Sequence, residues 1–414
     1  MEIVHTHGAG LDVQKKTVVA AIIVPGPKRN RYQETRTFGT MTVDWLALSA
    51  WLLAHGVTHV AMESPGEYGK PVFNPLERDF QVLLVNAAHI KAVPGRKTDV
   101  NDAAWIADLL QHGLLKASVV PPLGQRERRD LTRHCSHVVR ERVNLANRVQ
   151  KVLESANIKL ASVATEDLGV SGRAMLEALM VGQASPAEMA ELAKGRLREK
   201  REPLATALEG RVQAHHRLVL TERLCQIDNL DETMAQFDAQ IEASCTPFEE
   251  AVVFLDTIPG VARQTAEIMV SEIGTDMGRF PTADHLAAWA GVAPGNHESA
   301  GQHRSGQTRK GNKPLGVALN QAAHAASRTK HTYVSAQYRR LAGRRGKKKA
   351  IVAVAHSIVV SAYHLLQRHE PCHDLGGDDF DKQRPDTTAK RLVQRLERLG
   401  YAVALQQNPI TGAA

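Results

Sequence analysis

Four carboxylates in the N-terminal part of the chain, Asp12, Glu63, Asp99 and Asp102, have the types and spacing for divalent-metal chemistry. Asp99 and Asp102 lie in KTDVNDAAWIADLL, whose apolar spacing predicts a helix over 98–112 with Thr98 as its N-cap. Helical side chains three apart share a face, with Cβ atoms about 5–6 Å apart, so both carboxylates can reach one ligand. Asp12 stands in LDVQKKTVVA, just before an apolar strand, and Glu63 ends the run HVAME. Strand ends in an α/β sheet converge on one edge, where ligands sit. Carboxylate oxygens suit Mg²⁺ or Mn²⁺. Two such ions about 3.5–4 Å apart clamp the attacking and leaving oxygens of a phosphodiester. Taken singly, each acid also has an ordinary reading: Asp12 as a turn residue, Glu63 as a surface strand end, Asp99 as a helix-dipole partner, Asp102 as a solvated helix residue. Asp108, on the same helix, reads as a surface residue.

A second group of reactive types falls in residues 291–316, GVAPGNHESAGQHRSGQTRKGNKPLG. Apolar residues are sparse and Gly, Ser and basic residues dominate, which predicts a loop or extended surface. His303, Arg304, Arg309, Lys310 and Lys313 would neutralise phosphate there. Ser299 and Ser305 are candidate nucleophiles, although a serine hydroxyl is weak without a base or metal, and most loop serines are structural. Upstream, IPGV at 258–261 lies between two helical runs. It reads equally well as a turn that offers backbone N–H groups to phosphates or as an ordinary helix–helix turn.

The elements that would position these residues follow from periodicity. Residues 17–24 are β-branched and apolar and predict a strand, with 32–39 as its hairpin partner. Residues 43–55 predict a helix stopped by Gly56, and 57–62 and 81–86 predict two more strands. That alternation is an α/β layer pattern. After Pro121-Pro122, residues 121–160 repeat apolar positions at three, four and seven, which predicts a long amphipathic helix with a basic polar face carrying Arg126, Arg128, Arg129, Arg133, Arg140, Arg142, Arg148 and Lys151. Residues 161–215 read as interrupted helices and 216–245 as a returning helix, so 121–245 reads as a helical, coiled-coil arm. A helix at 350–367, an acidic Gly-rich linker at 376–381 and a tail helix near 386–400 follow. The division expected is 1–120, 121–245, 246–345 and 346–414.

Composition narrows the class of partner. A formal net charge of +8, concentrated in local clusters, points to a polyanion. The four cysteines are scattered without a C-x-x-C pair, which argues against a zinc site or disulfide framework and for a reducing cytoplasm. The N-terminus carries no signal pattern, and the apolar run 350–360 falls short of the roughly 18 residues of a membrane span. A cytoplasmic chain with no membrane partner is expected.

Residues 11–20 (LDVQKKTVVA), 61–71 (AMESPGEYGKP) and 85–115 (VNAAHIKAVPGRKTDVNDAAWIADLLQHGLL) resemble the insertion sequence one-ten family of transposases. The block from IPGVARQTAEIMVSEIG through FPTADHLAAWAGVAPGNHESAGQHRSGQTRKGN resembles the second, transposase domain of that family. The resemblance implies an RNase H-like (RuvC-like) N-terminal domain with a D-E-D-D metal site at Asp12, Glu63, Asp99 and Asp102, a helical coiled-coil arm, and a mainly α-helical C-terminal transposase domain with a helix-hairpin-helix-like element. It implies a serine that attacks the phosphodiester, best matched by Ser299 in ESAG, with Ser305 in RSG as the fallback. It also implies DNA partners (element ends and target), a structured guide or bridge RNA, and a homodimer or homotetramer. Lys97, Gly260, Arg304, Arg309 and Lys310 are the expected nucleic-acid contacts. Gly316 departs from the pattern, standing where a basic residue is common; the run Arg339, Arg340, Arg344, Arg345, Lys347, Lys348 and Lys349 is a substitute contact or a solvated basic loop. Two rival readings remain: a resolvase-type metal nuclease that uses water, and a nucleic-acid-binding protein with an inactive RNase H-like scaffold.

Overall fold

Strand β2 (Val18–Pro25) is apolar at nearly every position because both of its faces are covered. The computed structural model describes residues 2–26, 30–63, 66–86, 102–166, 168–295, 297–299, 301–383 and 385–406. Around β2 the chain builds a sheet from β1 (Gly8–Val13), β3 (Arg31–Phe38), β4 (His59–Glu63) and β5 (Gln81–Val85), in the order β3-β2-β1-β4-β5. The β1–β2 and β2–β3 pairs are antiparallel; β1–β4 and β4–β5 are parallel. Strand β1 is a correction to the sequence reading: Asp12 lies inside a strand rather than ahead of one. GAGLDV hides its strand character because glycine is a poor strand former, and the glycines have a packing reason given below.

The sheet is covered on both sides. Ala9, Leu11 and Val13 of β1 and Val60 and Met62 of β4 face helices α1 (Thr42–Ala54) and α2 (Lys70–Leu76), against Leu48, Leu52, Val72 and Leu76. The alternate positions face helix α3 (Asp102–Gln111), whose Ile106, Leu109 and Leu110 pack on Ala61 and Val85. Ala103, Ala104 and Ala107 of α3 pack on Ala21 and Ile23. Each fully buried large aliphatic side chain contributes about 1.5–3 kcal/mol, so these three residues suffice to seat the helix. The expected helix start and Thr98 cap lie outside the described residues.

Contacts divide the chain into two units, Met1–Pro122 and Leu123–Ala414. Among the described residues, the regular structure of the second is helical apart from one hairpin. Helix α4 (Leu123–Ser155) and helix α9 (Ala214–Cys245) pair antiparallel, as Cys135 with Asp238 and Arg142 with Asp231 show. Thus the arm folds on itself. The short helices α5 (Leu160–Val163), α6 (Val170–Val181), α7 (Pro186–Glu191) and α8 (Arg201–Ala207) close one core over Leu145, Val149 and Leu153. At the other end of the arm, Cys135, Ile241 and Cys245 join a second core. It is built by α10 (Glu249–Asp256), α11 (Arg263–Ile273), α12 (Ala283–Ala290), α13 (Lys313–Ala326), α14 (Tyr333–Arg345) and α15 (Lys347–Arg368). Helix α15 extends well beyond the apolar run read from sequence; by length and composition it could cross a membrane, but half of that window is buried as core. Two terminal helices, α16 (Asp379–Lys382) and α17 (Pro385–Glu397), bury no residue.

Candidate active site

Asp12 and Glu63 are register partners across the parallel β1–β4 pair, which sets their Cα atoms about 4.8 Å apart. Side chains alternate along a strand, so Asp12 shares the face of Gly8 and Gly10, and Glu63 shares that of Ala61. Both therefore stand on the face that α3 covers. The polarity of α3 follows from two contacts. A Cβ on Gly8 would touch Leu110 at the end of α3, whereas a Cβ on Gly10 would overlap the backbone of Ala103 and Ala107 near its start. Hence α3 runs antiparallel to β1, and its first residue, Asp102, lies at the end of the sheet that carries Asp12 and Glu63. Glycine at position 10 is what lets the helix approach so closely.

All three carboxylates are half-buried. Gln14 Nε2 donates to Asp12 Oδ2 at 3.2 Å. Asp99 and Lys97 lie outside the described residues. Among the described residues, no three His, Cys, Asp or Glu side chains converge closely enough to hold a metal ion. The donor set is nonetheless purely oxygen and of one charge, which fits a hard cation such as Mg²⁺ or Mn²⁺. Asp108, read as a surface residue, is half-buried and ion-paired with Arg31 at 2.6 Å.

Residues 291–316, expected as a loop or extended surface, contain a short hairpin. Strand β6 (His297–Ser299) pairs antiparallel with β7 (Gln302–Ser305), with Ser299 opposite Gln302, His297 opposite Ser305, and an irregularity between His297 and Glu298. The pairing forms because Gly301, at φ +73°, supplies the left-handed turn. Ser299 thus lies at the turn end and Ser305 at the open end. The Ser305 hydroxyl is exposed and accepts from Gln307 N at 3.1 Å. The Ser299 and Arg304 side chains lie outside the described residues. Arg309, Lys310 and Lys313 are exposed.

The IPGV turn joins α10 to α11 with Ile258 and Val261 buried. Gly260 has φ +89°, and a Cβ there would come within 2.5 Å of Ala322 O and Ala326 N on α13. This glycine is required by packing. Gly316 lies in α13, where a Cβ would sit 3.4 Å from Ala290 O.

The basic face of the arm is partly spent inside the protein. Arg142 pairs with Asp231, Arg128 stacks over Phe248 at 4.3 Å, and Arg129 and Arg133 both pair with Glu272. Burial lowers the pKa of the Arg129 guanidinium, with Glu272 opposing the shift. Arg140, Arg148 and Lys151 remain exposed. Sequence reasoning missed Glu272, a carboxylate with no exposed surface in the apolar run IMVSEIG. A charge on the buried face of a helix was the available signal.

Two family models match the chain. One, described as "Transposase" of the DEDD insertion-sequence 110 type, covers residues 9–158; the other, "Transposase IS116/IS110/IS902 family", covers residues 253–339. A "Probable family 20 transposase" of Pseudomonas aeruginosa is 26% identical over 324 residues, 77% of this chain and 86% of that protein. A "Pilin gene-inverting protein" of Moraxella bovis is 27% identical over 186 residues, 40% of this chain and 58% of that protein, and its counterpart in Moraxella lacunata matches to the same extent. The two models take in the acids at one end and the serine hairpin at the other: the chain belongs to the IS110 family of transposases, enzymes of DNA recombination.

Proposed function

We propose that the chain cuts and rejoins DNA, at the ends of an insertion sequence and at a target, with Ser299 as nucleophile. In this reading Asp12, Glu63, Asp99 and Asp102 form the metal site of an RNase H-like (RuvC-like) domain. The carrying observation is the antiparallel run of α3 along β1, which brings the Asp102 end of the helix to the Asp12 and Glu63 end of the sheet. A divalent cation held by the four acids would, when bound, offset charge on the scissile phosphate.

The chain's own residues do the rest. Ser299 Oγ bonds to phosphorus as one phosphorus–deoxyribose oxygen bond breaks, and the Oγ proton leaves with the freed sugar hydroxyl. A hydroxyl of the new strand then attacks the phosphoserine and returns the proton to Ser299, so the number of phosphoester bonds is conserved. Ser299 is favoured over Ser305 because it lies at the turn of the hairpin, whereas the Ser305 hydroxyl accepts a local backbone bond. Arg309 and Lys310, exposed just beyond, and Lys97, Gly260 and Arg304 are the nucleic-acid contacts of this reading. Exposed Arg140, Arg148 and Lys151 on the arm suit a guide RNA or a second subunit of a dimer or tetramer. The division 1–120, 121–245, 246–345 and 346–414 and a cytoplasmic site of action complete it.

The test is a strand-transfer assay on plasmid DNA carrying the element ends, with trapping of protein–DNA adducts. Ser299→Ala loses adduct and transfer, Ser305→Ala keeps both, and Asp12→Ala loses transfer. Full activity in Ser299→Ala overturns the serine assignment. Cutting without any adduct in the wild type replaces it with a water-using metal nuclease.

A further inference from the structure

Glu272 is a fully buried carboxylate near the end of α11, outside the acid set. An unpaired buried charge is costly, so its partners define its role. Arg133 Nε donates to Oε1 at 2.6 Å and Arg133 Nη2 to Oε2 at 2.8 Å, a bidentate pair. Arg129 lies 3.4 Å from Oε2. The remaining partner is Asn312, whose Nδ2 donates to Oε2 at 2.7 Å.

Asn312 is where the serine-bearing segment re-enters the helical core. Its Oδ1 caps α13 by accepting from Leu315 N at 3.0 Å, and its backbone N donates to Trp289 O at 2.9 Å. Trp289 belongs to the last turn of α12, immediately before the segment leaves. At that exit, the backbones of Gly291 and Gly311 are so close that a Cβ on Gly291 would lie 2.9 Å from Gly311 N. Gly295 N donates to Gln307 O at 3.1 Å further out. Residues 291–311 are therefore a loop closed at a single base, and Glu272 grips that base from beneath.

An isolated two-stranded hairpin is marginal in water, so its aim is set by its attachment. A misplacement of about 1 Å at a reacting atom costs about a hundredfold in rate. We propose that Glu272, oriented by Arg133, is a positioning residue that aims the serine hairpin through Asn312. This rests on the reading of Ser299 as nucleophile. Glu272 touches neither DNA nor serine; it fixes the angle at which the hairpin leaves the core.

Asn312→Ser and Asn312→Asp separate this role from folding. Both keep an oxygen to cap α13. Serine replaces the amide N–H with one hydroxyl on a side chain too short to span both contacts, and aspartate has no donor and sets a like charge against Glu272. Glu272→Gln is the direct variant, and Asn312→Ser remains informative if Glu272→Gln fails to fold. The full chain is studied by amide hydrogen exchange over 291–312, by DNA affinity and by the rate of serine–DNA adduct formation. Asn312→Ser is expected to speed exchange in 295–307 about tenfold, the weight of one hydrogen bond to a charged group. It is expected to slow adduct formation about a hundredfold, with DNA affinity and exchange in α13 unchanged. Asn312→Asp shifts both further in the same direction. Unchanged exchange in Asn312→Asp overturns the hold of Glu272 on the segment through Asn312. Faster exchange with an unchanged adduct rate overturns the positioning role. An adduct that survives Ser299→Ala overturns the serine assignment instead, and the exchange data still decide whether Glu272 holds the segment.

Discussion

Asp12 and Glu63 are held by backbone. They sit in adjacent parallel strands of a five-stranded sheet, and the ladder bonds on either side of each fix their separation. Ser299 is held by fewer backbone bonds, with a side-chain contact added at the base. It sits on a two-stranded hairpin whose closed base depends on Asn312 and on a carboxylate forty positions earlier. The first arrangement tolerates surface change and fails when the sheet fails. The second can be re-aimed by altering one hydrogen bond, with the core intact. Under the reading proposed above, with Ser299 as nucleophile, a recombinase that must admit DNA and then engage it gains from a rigid charge-bearing site and a nucleophile on a pivot.

The largest effect separates function from stability in the rigid region. Asp12→Asn is expected to lower strand transfer by about a hundredfold to a thousandfold, the scale of losing one preorganised charge-stabilising group. The same change should leave the N-terminal unit as stable or more stable, by about 0.2–1 kcal/mol, because it removes one of two like charges in register. Transfer rates paired with urea unfolding check this. A drop in activity that tracks a drop in stability would assign Asp12 to the fold and not to the site.

Two glycines extend the contrast to packing. Gly10→Ala drives a methyl into the backbone of Ala103 and Ala107, and should cost about 3 kcal/mol. Gly260→Ala meets Ala322 O and Ala326 N at 2.5 Å from a backbone at φ +89°, for about 2–3 kcal/mol. The two should act on different units. Gly10→Ala is expected to release amide protection in β1, β4 and α3, and Gly260→Ala in α10, α11 and α13. Loss of protection throughout the chain from either change would mean that the units unfold as one.

Those glycines also mark where the sequence could and could not be read. Strands β2, β4 and β5, helix α1 and the paired helices of the arm follow from periodicity, because their apolar faces are continuous in sequence, whereas β3, exposed at nearly every position, follows from its alternation beside β2. Strand β1 does not, since its α3-facing positions are Gly8, Gly10 and Asp12, residues selected for close approach and charge and not for strand propensity. The acids were legible as strand-end and helix carboxylates in motif-like surroundings, and the structure supplied the direction of α3 that brings three of them to one end. The hairpin β6–β7 was not legible, because three- and four-residue strands carry too few alternations to exceed a loop reading. Nor was the Glu272 network, whose members Arg133, Glu272 and Asn312 are scattered over 180 residues and meet only after α4, α11 and α13 have packed. What a sequence pattern conveys is local periodicity; a buried ion pair is a product of the tertiary fold.

The smallest effect tests whether charge on the arm matters as charge does beneath the hairpin. Arg142 makes a bidentate pair with Asp231 across α4 and α9, and this bonding raises the pKa of the guanidinium, against a smaller opposing effect of burial. Their side chains are 33% and 41% exposed, so water and salt screen most of the attraction. A double-mutant cycle of Arg142→Ala and Asp231→Ala, read by urea unfolding, should give a coupling of about 0.5 kcal/mol that fades in 1 M salt. Removing Arg133 should cost about 3–5 kcal/mol, because the Glu272 carboxylate left behind is fully buried. A coupling above about 2 kcal/mol for the arm pair, persisting in high salt, would be the signature of a shielded pair. Since both side chains are partly exposed in the isolated chain, the shielding would have to come from a second subunit laid along the arm. Repeating the cycle at protein concentrations above and below subunit association then tells the two cases apart, because only a shielded pair changes its coupling with concentration.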